Sequence, residues 1–187
     1  MRVVIVLGVA ALTVGCQETP GELDPEVVHD LARQPGDGLD LDLTGTYSGQ
    51  ITIAECGCPE IDALKERSLC NGIDGVNPEV GSSGFVAFEV VQTDGILMLR
   101  LDPLSLTGPI FEDGEFSVGG LFDMTTAFST GSIVSRMDGT FDIDSNRNDL
   151  EALAQVRFSG DAAFDIESMD DRTSLDCVER YEIVGSR

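Results

Sequence analysis

The residues of this chain with the most chemistry open to them are its five cysteines, Cys16, Cys56, Cys58, Cys70 and Cys177. Thiolates at Cys56, Cys58, Cys70 and Cys177 would supply the ligand number of a structural zinc site, but their spacing matches no familiar zinc module. In an exported protein the same four residues meet an oxidising compartment, where disulfides form instead. Cysteines separated by one residue bridge each other with poor geometry. One of Cys56 and Cys58 is therefore expected to pair with Cys70 and the other with Cys177, which staples the loop after the first strand to the last strand. Cys16 is left over, and an odd cysteine needs its own account.

Other catalytic chemistry is thinly provided. His29 is the single histidine and precedes the folded part, which leaves no Ser-His-Asp or Cys-His arrangement inside the domain. The Gly-Ser-Ser-Gly at 81–84 lacks the nucleophile-elbow pattern and leads into a strand. Paired carboxylates can cleave glycosidic bonds, yet among 34 acidic residues the proximity of two carries little information. No phosphate-cradling loop or dinucleotide fingerprint occurs. The expectation is a protein that is not an enzyme.

One ion is suggested. Asp142, Asp144, Asn146 and Asn148 alternate in a way that resembles the start of a calcium loop. The pattern then breaks, with Arg147 where an EF-hand needs glycine and Leu153 where its last bidentate glutamate belongs. A polar turn between strands is the preferred reading. No cofactor besides such a calcium is expected.

The N-terminus accounts for Cys16. Arg2 precedes an apolar run from Val3 to Val14, interrupted only by Thr13, which is too short to span a bilayer and reads as a secretory leader. Thr13-Val14-Gly15-Cys16 resembles the lipobox of bacterial lipoproteins, although Thr13 stands where leucine is usual and Leu12 lies one place earlier. The resemblance implies that residues 1–15 are a signal peptide and that Cys16 becomes the acylated first residue, anchored in the cell envelope. Gln17, in place of the aspartate associated with inner-membrane retention, implies the outer membrane, facing the periplasm or the cell surface.

The elements that hold these residues follow from patterning. A net charge of −23 repels phosphate backbones, so nucleic acid is excluded as a partner. Residues 16–40 are rich in proline, glycine and acids and read as a flexible spacer, with Asp24 capping a short helix that has Pro25 in its first turn. Residues 41–187 are of a size for a single domain. There the dominant period is two, which argues for antiparallel sheet. Tyr47, Gly49, Ile51 and Ile53 share a face. Asp94-Gly95 and Asp113-Gly114 are hairpin turns. Ile133, Ser135, Met137, Gly139, Phe141 and Ile143 share a face, as do Ala152, Ala154, Val156, Phe158, Gly160, Ala162 and Phe164. One short helix is expected at 60–68.

About eight strands linked by hairpins make an all-β up-and-down barrel or curled meander, with a two-sheet sandwich as the alternative. The architecture resembles the lipocalin-like small barrels over 44–184, without the tryptophan near the first strand that those proteins carry. Large residues on the inner face (Met137, Phe141, Val156, Phe158 and Phe164) alternate with small ones. They either fill the taper or line a cavity for one apolar ligand. The expected function is a membrane-anchored structural or protein-interaction module with an envelope protein as partner. The alternative is a lipocalin-like carrier of a small apolar molecule.

Overall fold

The computed structural model describes residues 23–38, 40–57, 80–101, 104–126, 129–144, 148–162 and 172–187. Period-two alternation places one row of each strand inward, and eight such strands close on themselves. They are β1 (Gly45–Cys56), β2 (Ser83–Thr93), β3 (Ile96–Leu101), β4 (Leu104–Pro109), β5 (Glu115–Thr125), β6 (Ser129–Phe141), β7 (Leu150–Ala162) and β8 (Thr173–Ser186). Each pairs antiparallel with its neighbour in sequence, and β8 pairs back onto β1. The fold is an up-and-down closed barrel, and the sandwich is ruled out. Closure leaves no unpaired edge. Along the β1–β8 seam the register shifts between Ile53 and Glu55, a bulge of the kind that lets a strand bend around a barrel.

The turns behave as their residues dictate. Asp94 and Gly95 adopt φ of 49° and 77°, the positive values that a two-residue hairpin between β2 and β3 requires. Gly114, at φ 86°, performs the turn into β5.

The inner rows form one core that includes Tyr47, Phe88, Leu97, Leu99, Val118, Met137 and Ile183. Outside, arginines pair with acids: Arg136 makes two 2.8 Å bonds to Asp138, and Arg157 bonds Asp176 at 2.8 and 2.6 Å. Such surface pairs contribute little to stability.

The stretch expected as a flexible spacer is packed from Leu23 onward. Asp24 caps helix α1 (Pro25–Leu31), its carboxylate accepting from Glu26 N at 2.7 Å, with Pro25 in the first turn as expected. Val28 is buried on the outer wall over Gly119, where a Cβ would lie 2.6 Å from Val28 Cγ1. Leu23, Val28 and Val134 form a small cluster, with Val178 against it. Two apolar residues thus dock an otherwise acidic segment. After the helix, Gly36 N donates to Gly95 O at 2.9 Å and Gly38 N to Ile110 O at 3.3 Å, so the chain crosses one end of the barrel before entering β1.

Cys56 and Cys177 are each disulfide-bonded. Cys16, Cys58 and Cys70, the helix expected at 60–68, Asn146 and Phe164 lie outside the described residues, and the expected cysteine pairing falls partly on them.

Candidate ligand site in the barrel interior

The two ends of the barrel differ. At one, the β2–β3, β4–β5 and β6–β7 turns meet the crossing segment, and the inward residues are sealed: Leu43, Tyr47, Ile110, Phe141 and Leu150 are all 1% exposed or less. Tyr47 organises this closed end. Its ring stacks on Phe88 at 5.8 Å and meets Phe141 edge-on at 5.5 Å, while Phe141 also touches Phe116 at 5.2 Å. Its hydroxyl donates to Leu43 O at 3.0 Å, and Leu43 N donates to Gln92 Oε1 at 3.1 Å. Buried polar groups inside the seal are therefore bonded, as a dry plug requires.

At the other end the inner wall loosens. Val86, Leu101, Phe122 and Val156 are only half-buried against the core, as are Ile133 and Phe158; Ile51 at mid-strand and Ala152 beside Leu150 are half-buried as well. Ile53 on β1, Ala162 at the end of β7, and Leu175 and Cys177 on β8 are exceptions, buried near that rim. Among the described residues the inner row is fully buried toward the closed end and only partly buried on several strands toward the other, hereafter the open end.

Polar atoms interrupt the lining at one level. The registers run Gly120, Ser135, Val156 and Glu179 across four neighbouring strands. Ser135 is 2% exposed, and its Oγ finds no hydrogen-bond partner among the described residues. On β8 the Tyr181 hydroxyl donates to Glu179 Oε2. An unbonded buried hydroxyl costs about 1–3 kcal/mol. Ser135→Ala is accordingly expected to raise stability by about 1 kcal/mol in urea denaturation, and a loss of stability would show that the hydroxyl is bonded in solution.

The two tyrosines both carry phenols held above the ordinary range. Burial raises Tyr47 in spite of the Asn148 amide beside it, and burial followed by the Glu179 carboxylate raises Tyr181. The folded state keeps its protons where the unfolded chain loses them, at about pH 10. Stability contributed by the neutral phenols is thus complete below pH 10 and falls as pH rises through the folded values. With no tryptophan present, absorbance at 295 nm should show less tyrosinate at pH 10 in the native protein than in denaturant, where each phenol is about half ionised. Normal titration of either tyrosine would contradict the burial.

The residues singled out from sequence divide between the two halves. Met137 and Phe141 belong to the plug at 2% and 1% exposure. Val156 and Phe158 stand in the half-open part, Phe158 opposite Ile133 and Cys177. Of the calcium candidates, Asp142 Oδ1 accepts from Asp144 N at 3.1 Å within its own turn, and Asn148 is buried beside Tyr47. Among the described residues no group of three acids, histidines or cysteines is placed to hold a metal ion. Asp37, Asp40, Asp94, Glu112 and Asp144 surround a depression of about 680 Å³ on the outer side of the closed end. His29 stands on α1 outside the barrel, half-exposed and 3.9 Å from Asp30.

No family model, curated protein or solved structure matches the chain. Sequence reasoning missed Phe122, Glu179 and Tyr181. The alternation of Cys177, Glu179, Tyr181 and Ile183 was available, but an inward acid broke its apolar character.

Proposed function

We propose that this chain is an outer-membrane lipoprotein, acylated at Cys16, whose barrel carries a small apolar molecule in the open half of its interior. The observation that carries the reading is the asymmetry of the barrel among the described residues: one end is sealed and internally hydrogen-bonded, while toward the other the inner wall has partly exposed hydrocarbon on several strands, with polar atoms at one level. That combination of an apolar wall with a few convergent polar groups is what a site for a small ligand needs. The reading assigns no reaction to the barrel and uses no cofactor. Two disulfides drawn from Cys56, Cys58, Cys70 and Cys177 would brace the open rim.

The protein-interaction role expected from sequence is the second reading. Its support is the acidic depression at the closed end, where a basic surface of an envelope protein would find complementary charge.

Native mass spectrometry of the detergent-extracted protein, with titration by the uncharged apolar fluorophore N-phenylnaphthylamine, tests the choice. Saturable binding of one probe with a Kd in roughly the micromolar range, or a mass that denaturation releases, supports the carrier. A bare mass and no saturable binding would leave the interaction module. The denatured mass also reports on the cysteines, falling below the fully reduced value by the hydrogens of two disulfides.

A further inference from the structure

Resting on the reading above, we infer that the bilayer holding the acyl chains lies at the open end of the barrel, so that the mouth faces the membrane and the carried molecule passes directly between the two. The inference comes from where Leu23, seven residues after Cys16, sits on the wall. Leu23 is buried in the cluster with Val134 and Val178. Val134 is five residues from Ser129, where β6 begins at the open rim, and seven from Phe141 at the closed end. Val178 is likewise five residues from Thr173 and eight from Ser186. From that cluster the chain runs through α1 over Gly119 and reaches the closed end only at Gly36 and Gly38, which bond Gly95 and Ile110. The segment leading back to Cys16 therefore starts in the open half.

Chain length turns this position into an orientation. Residues between Cys16 and Leu23 span at most roughly 25 Å when fully extended. With a rise of about 3.3 Å per residue and strands tilted by about 40°, the open rim lies ~13 Å from the level of Val134. The closed rim lies ~18 Å away on the same basis, and beyond it come the turns and the crossing segment 34–44. A closed-end approach would stretch the tether along the wall and around that cap. An open-end approach leaves it slack. Hydrocarbon of the inner wall is also only partly buried at that end, where a molecule leaving the bilayer would enter without crossing water.

The absence of tryptophan makes a direct test available. The full chain, made with its leader in a bacterium that has an outer membrane, is reconstituted into phosphatidylcholine vesicles containing headgroup spin-labelled lipid. Single tryptophans are placed at the open rim by Thr125→Trp and at the closed end by Phe111→Trp, both at solvent-facing positions. A second pair, Asp123→Trp and Glu112→Trp, covers the case in which either variant misfolds. Quenching at least twofold stronger at Thr125→Trp and Asp123→Trp supports the inference. Equal or reversed quenching, in protein that carries acyl mass and floats with the vesicles, overturns it while leaving the anchor in place. Wild-type protein that has no acyl mass, or floats no better than Cys16→Ser, overturns the anchor and the orientation with it. Carriage itself is judged separately by the probe titration.

Discussion

Gly49→Val is expected to cost about 3 kcal/mol or more of stability, enough to take a large part of what holds a domain of this size folded. Gly49 points inward on β1 at the seam where the first and last strands join, facing Gly185 of β8 and Val86 of β2. A Cβ there would collide with the carbonyl oxygen of Val184 and the Cα of Gly185. Both are backbone atoms of the partner strand, so no rotamer change relieves the clash. The strands must separate, and valine's second branch increases the distance required. Because this seam is the closing pair, its separation returns two unpaired edges to solvent. Gly185 provides the control on the same seam: its nearest neighbour would be Ser48 O at 3.2 Å from a new Cβ. Gly185→Ala is expected to cost about 1 kcal/mol. Urea denaturation followed by far-ultraviolet circular dichroism reads both. A cost below about 1 kcal/mol for Gly49→Val would mean that the seam is looser than these contacts require.

That seam also marks where the sequence stopped being informative. Strand positions and inner faces were legible because alternation and Asp-Gly turns are local signals. Tyr47, Gly49, Ile51 and Ile53 do share the inward row, and Asp94-Gly95 does take positive φ. The choice of barrel over sandwich depends on β1 finding β8, a contact between residues more than a hundred positions apart, which periodicity cannot express. Docking of Leu23 and Val28 was hidden for a related reason. Two apolar residues in a stretch rich in proline, glycine and acid do not make a pattern, and their partner is a notch at Gly119 on a distant strand. The site was harder still. Met137, Phe141, Val156 and Phe158 sit on the same face with the same alternation, and only the crossing segment, absent from any strand pattern, makes one end a plug.

The closed and open halves should separate cleanly under mutation. Phe141→Ala removes a ring that is 1% exposed and in contact with both Tyr47 and Phe116. Loss of buried hydrocarbon, the cavity left behind and two aromatic contacts together predict about 3–5 kcal/mol. Phe158 is half-buried near the open rim, where solvent or neighbouring side chains can occupy the space it leaves, and Phe158→Ala should cost about 1 kcal/mol. Affinity for N-phenylnaphthylamine should show the opposite order. Removing a ring from the lining is expected to weaken binding about tenfold, equivalent to about 1.4 kcal/mol. Phe141→Ala should leave it unchanged wherever the protein remains folded. Stability alone cannot distinguish a carrier from a solid barrel, since both need Phe141. The decisive quantity is the ratio of the two effects at Phe158: a residue that contributes more to ligand affinity than to folding is part of a wall built to be touched from inside. If Phe158→Ala instead costs as much stability as Phe141→Ala and leaves probe binding intact, the open half is packed like the closed one and the interior carries nothing.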